Sequence, residues 1–186
     1  MDRFEYAAGL FSVIVGLGLA DLGVSAHRMM KHRSQVRWDP LALATVAYVV
    51  LLLISIWYDL WGLRPFPDIT GFTFYVCLLG QLFLLFLLAS ASLPDEPSDG
   101  YDLFAYYDRE QRYIWSLLLA FQIAFAALWL YFMLTLDSPI LPRLHQVAVP
   151  LIGTVILLLV RRRAVQIPLL VVLFGFKAVD YVGTSL

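Results

Sequence analysis

The chain has 186 residues, 61% of them hydrophobic and 15% charged, with a formal net charge of −1. A soluble domain carries nearer to about 25% charged residues, and a nucleic-acid binder needs a basic face, so both classes are excluded. The single cysteine, Cys77, excludes a disulfide framework and a cysteine-built metal site within one chain.

The apolar residues fall into blocks of the length a bilayer requires. About 20 apolar residues in a helix match a hydrocarbon core of about 30 Å. The expected fold is all-α, a polytopic membrane protein with a six-transmembrane-helix bundle in one integral membrane domain over residues 1–186. The spans fall at about 4–26, 40–62, 70–93, 113–136, 143–160 and 164–183, with a polar loop at 94–112. Three plus three spans also admit two inverted three-helix halves, a layout used by transporters.

The first span reads as retained rather than as a cleaved leader, because acidic residues flank Arg3 and no small-residue cleavage site is clear. Gly9, Ser12, Gly16, Ala20 and Gly23 recur in it at spacings of three and four. That spacing puts them on one face, where a neighbouring helix is able to approach closely. The loop His27 to Asp39 is the most basic of the chain. Pro40 suits the first turn of span two, which ends in the aromatic girdle of Trp57, Tyr58 and Trp61. Pro65 and Pro67 turn the chain into span three, which carries no charge across positions 69–93.

In the polar loop, Asp99 or Asp102 is suited to cap a helix that starts before the membrane. Span four carries a second stripe of small residues, Ser116, Ala120, Ala124 and Ala127. Span five contains Pro150 and Gly153, which predicts a kink. Arg161, Arg162 and Arg163 stop it, and span six contains Pro168, Gly175, Lys177 and Asp180. Loops one, three and five hold Arg28, Lys31, Arg33, Arg37, Arg109, Arg112 and the three consecutive arginines; the other side holds Arg3, Arg64 and Arg143. This asymmetry predicts that those three loops lie in the cytoplasm and that both termini lie outside it.

Ionisable residues inside a membrane are costly and need a reason to be there. Asp21 falls near the cytoplasmic end of span one, and Lys177 about 9 Å from the outer end of span six, so the two lie in opposite leaflets. An outer cluster is expected from Glu5, Asp59, Lys177 and Asp180, as a polar vestibule or as side chains snorkelling to the interface. An inner cluster is expected from Asp21, with His27 below it and an arginine from the run at positions 161–163. Asp21 reads equally as a cation or proton site and as a packing carboxylate. Gln81 and Gln122 sit near mid-membrane, where amides bond across helices or line a path.

No catalytic residue, metal site or cofactor is predicted. His27 and His32 do not share a helix face, His145 alone among the histidines adjoins a span, and the signatures of metallopeptidases, serine hydrolases and P-loops are absent from the sequence.

The opening FEYAAGLFSVIVGLGLADL, the basic loop, the aromatic end WYDLWGLR and the segment from LPDEP to the Tyr106–Tyr107 pair resemble a family of small bacterial six-span inner-membrane proteins with no assigned activity. The likeness covers about the first two thirds of the chain and implies a bacterial inner (plasma) membrane location. It rests on packing and topology features, and it transfers no binding residue.

The reading that follows is a small transporter or channel for an ion or small solute, with a path marked by Asp21 and the outer charged cluster. The alternative is a non-catalytic accessory or assembly subunit of a larger membrane complex; a lipid-acting enzyme has the least support. The partners expected are membrane lipids and, through the small-residue faces, a homo-oligomer or larger complex, with no nucleic acid.

Overall fold

A computed structural model describes residues 3–61, 71–94, 102–137 and 139–184. Among them are six α-helices and no strand: α1 (Arg3–Lys31), α2 (Pro40–Trp61), α3 (Phe72–Ala91), α4 (Leu103–Thr135), α5 (His145–Leu159) and α6 (Arg163–Thr184). A short 3-10 turn, Leu141–Arg143, precedes α5. Four helices are long and apolar enough to cross a membrane: α2, α3, α4 and the Ala8–Lys31 part of α1. The six-helix, all-α architecture is therefore as expected, and so is its apolar, membrane-suited character. The fifth helix has 15 residues, about 22 Å of axial rise, and the sixth carries Arg163, Lys177 and Asp180 within its 22 residues.

Two helices reach beyond the apolar blocks. The first continues through His27 to Lys31, so part of the basic loop is helical. The fourth starts at Leu103, about ten residues and 15 Å before the apolar block at 113. Asp102 sets that start: its carboxylate accepts from the Ala105 N–H at 3.0 Å. Asp99, the other residue suited to this cap, lies outside the described residues, as do Arg64, Pro65 and Pro67. Asp39 caps α2 in the same way, accepting from the Ala42 N–H at 3.2 Å with Pro40 directly after it.

The first helix packs against α2 and α3, α3 also against α4, and α4 against α5; α2 further contacts α6, and α5 contacts α6. The halves do not pack alike. In the first, α1 and α3 lie side by side; in the second, α4 and α6 meet through long side chains.

The small-residue stripe of α1 does not hold the bundle. Gly9, Gly16 and Gly23 have open space where a Cβ would stand, and Ser12 and Ala20 are exposed. The buried face is instead Phe11, Val15, Gly18, Leu22, Ser25 and Met29, recurring at alternating spacings of four and three. That is the spacing of a coiled-coil seam, and its one glycine is the close-approach point. A Cβ on Gly18 would stand 3.3 Å from Leu53 and 3.6 Å from Ala89. Span four is mixed: Ser116 and Ala127 are exposed, while Ala120 and Ala124 are half-buried. Among the described glycines the tightest surroundings are at Gly153, where a Cβ would stand 2.7 Å from Leu173 of α6.

Candidate functional site

Four helices turn polar side chains towards one another. On α2, Thr45, Tyr48, Leu52, Ser55 and Asp59 recur at spacings of three and four, which is one helix face, and the first four are buried. On α4 the matching face is Tyr107, Gln111, Trp115, Leu118, Gln122 and Phe125. On α6 it is Gln166, Leu170, Leu173 and Lys177. The fifth helix contributes Gln146, Pro150, Thr154 and Leu157. Helices α2, α4 and α6 run in the same direction, since their first residues meet at Asp39, Asp102 and Arg163 and their later ones at a shared cavity. The polar residues consequently form two layers. Gln111 to Gln122 and Gln166 to Lys177 are both eleven residues, about 16 Å along each axis. Leu118 and Leu173 lie between them, with no more than 1% of either exposed.

The layer at the basic end is fully connected. The Arg163 guanidinium donates from Nη1 to Asp39 Oδ1 at 2.6 Å, and its carbon lies 3.7 Å from the centre of the Phe104 ring. Arg37 sits over the same ring at 5.0 Å and donates to Asp102 at 3.1 Å. The Leu103 N–H donates to the Arg37 carbonyl at 3.1 Å, tying the basic loop to the start of α4. One step deeper, Gln166 Nε2 donates to Gln111 Oε1 at 3.2 Å and to the Val160 carbonyl at 2.9 Å. Its Oε1 accepts from the Tyr107 hydroxyl, which accepts from the Trp115 indole N–H at 3.1 Å. Gln166 thereby satisfies a carbonyl that the end of α5 leaves without a helical partner. Outside the spans, the Ala105 N–H and then the Arg37 guanidinium hold the Asp102 carboxyl below the usual carboxylate range.

The layer at the opposite end lines a partly open cavity of about 20 Å³. Its polar lining is Tyr48, Ser55, Asp59, Gln122, Gln146 and Lys177, one or more from each of the four helices. The Lys177 ammonium lies 5.7 Å from the centre of the Phe125 ring, within cation–π range. A volume of this size holds about one water molecule. A site of this size admits a water molecule or a bare small ion.

The sequence-predicted residues divide accordingly. Asp59, Lys177 and Gln122 come together at the cavity. Asp180 follows Lys177 in α6, and its side chain lies outside the described residues. Glu5 is exposed on α1, a helix that contributes nothing to the cavity lining. Gln81 is buried on α3 with no hydrogen bond to its Nε2 among the described residues, and it also stands apart from the cavity. Asp21 is not joined to the arginine run: it accepts from Ser90 of α3 at 2.5 Å, while Arg163 takes Asp39. The expected inner cluster is corrected on that point. Asp39 sits closer to the start of α6 because α2, and not α1, packs against that helix. His27 is exposed.

Sequence reasoning missed Asp39, Tyr107, Gln111, Trp115 and Gln166. The available signal was the spacing of four in Tyr107, Gln111 and Trp115, continued by Gln122 seven residues on. Among the described residues no group of histidine, cysteine and carboxylate side chains is placed to hold a metal ion. Comparison with protein-family models, with curated proteins and with solved structures gives no match.

Proposed function

We propose that the chain is a six-span inner-membrane transporter or channel for protons or another water-sized ion, and that the path runs between α2, α4, α5 and α6. The observation that carries this reading is the cavity lined by Asp59, Gln122, Gln146 and Lys177, which sits above a second buried polar layer on the same helix faces. Intramembrane carboxylates and lysines facing a bundle interior mark ion and proton pathways. The two layers supply the ends of a path, and the Leu118 and Leu173 layer supplies its closed middle. Asp21 lies off this path. On this reading α5 and α6 complete the six spans, the basic end faces the cytoplasm, and both termini lie outside.

Proteoliposomes holding the purified chain and an internal pH-sensitive dye test it. Lys177→Met and Asp59→Asn each abolish flux while the helical circular-dichroism spectrum is retained. Flux unchanged in both variants overturns the assignment.

A second reading is favoured by one observation, the exposed small-residue face of α1. Such a face suits a helix of another membrane protein, and the chain would then be a subunit of a larger complex. The native mass of material extracted from its host in lipid nanodiscs separates the two: a fixed heteromeric stoichiometry supports the subunit role.

A further inference from the structure

A second concavity lies between the first two helices, at the basic end of the bundle. A groove of about 420 Å³ opens between α1 and α2. Ala26 and Met30 of α1 and Leu43 and Val46 of α2 form its walls, and Arg33 and Trp38 stand at its mouth. Its axis is set by the two helices: from the start of α2 at Pro40 to Val46 is six residues, about 9 Å of rise along the helix. The polarity changes along that length. Arg33 is exposed in the loop, two residues from both Lys31 and Gln35, and the other residues lining the groove are apolar. A tryptophan at the headgroup level is the ordinary interfacial anchor.

We propose that this groove binds one anionic phospholipid, its phosphate on the Arg33 guanidinium and one acyl chain along Ala26, Leu43 and Val46. Two features select this occupant. The apolar walls lie at membrane depth, where the species at hand is an acyl chain. The rim is cationic, and a guanidinium pairs with a phosphate in the two-pronged geometry that an ammonium lacks. Basic pockets between membrane helices on the positive side hold acidic lipid headgroups for the same reason. The site is on α1 and α2 away from the polar seam, so it stands or falls independently of the proposed ion path.

Native mass spectrometry of the full chain from nanodiscs of equal phosphatidylglycerol and phosphatidylcholine tests this. The wild-type chain retains the anionic lipid about tenfold over the zwitterionic one, the scale of one charge-assisted contact. Arg33→Gln returns the ratio to that of the mixture, whereas Arg162→Gln, an exposed arginine at the same end, leaves it in place. Ala26→Phe, which fills the groove, lowers retention of both lipids. Excess inorganic phosphate leaves the retained lipid bound. Retention in the mixing ratio by the wild-type chain overturns the proposal, as does an unchanged ratio in Arg33→Gln or an equal loss in Arg162→Gln. Displacement by phosphate, or full retention in Ala26→Phe, likewise overturns the acyl groove. Should Ala26→Phe fail to fold, Arg33→Gln, which leaves the packing untouched, decides alone.

Discussion

The two sides of the bundle bury different chemistry with the same helical geometry. Where α1 meets α2 and α3, the buried residues are mostly apolar, Phe11, Val15, Gly18, Leu22 and Met29 with Ser25 and Gln81 among them, and a hydrogen bond joins Ser90 to Asp21. Where α2, α4, α5 and α6 meet, Thr45, Gln111, Gln122, Thr154 and Gln166 are each no more than 5% exposed. Apolar helices need no amides to associate in a bilayer, where close packing suffices. The polar seam adds interhelical hydrogen bonds to that packing. On the proposed function, the α1–α3 side is scaffold and the α2–α4–α5–α6 side is the working part.

Substitutions on the two sides sharpen this contrast. The largest effect is expected at the Arg163–Asp39 ion pair, in which the carboxylate is buried and the arginine half-buried. Arg163→Leu leaves the Asp39 carboxylate uncompensated and lowers stability by about 3 kcal/mol, read from unfolding in mixed micelles. Next is the α5–α6 crossing. Gly153→Ala drives a methyl into Leu173 and costs about 1–3 kcal/mol, whereas Gly16→Ala, facing open space, stays within about 0.5 kcal/mol. Equal losses at the two glycines would break the comparison, because α1 would then have a partner on its outer face. Gln166→Leu removes the amide that joins Gln111, Tyr107 and the end of α5, for about 1–2 kcal/mol. Asp21→Asn costs about 0.6 kcal/mol and leaves ion flux unchanged; loss of flux there would return Asp21 to the path.

The smallest effect is a pH dependence at the start of α4. Asp102 titrates below its unfolded value because its ionised form is hydrogen-bonded to Ala105 and Arg37. A depressed carboxyl stabilises the fold above its unfolded pKa of about 3.9 and loses that contribution as pH falls through the folded value. Stability followed from pH 6 down to pH 3 shows this loss in the wild-type chain, and Asp102→Asn removes the slope.

Span length and apolar composition made the helices legible, because a bilayer fixes both. Helix facing was legible only in part. The small residues of α1 and its buried face both recur at three and four, and a sequence does not say which of two such faces meets a neighbour. Asp59, Gln122 and Lys177 were legible because each is polar in an apolar block. Asp39 and Gln166 were not, because each adjoins a basic loop and reads there as ordinary loop polarity. The partner of Asp39 lies 124 residues along the chain, a pairing that only the packing of α2 on α6 brings about.

The fifth helix has a further consequence. At about 22 Å it is several ångströms shorter than the apolar thickness of an ordinary bilayer. On the six-span reading, hydrophobic mismatch draws the two lipid surfaces together beside α5, at a cost of a fraction of a kcal/mol per Å. On the same reading, a thinner host bilayer relieves this mismatch.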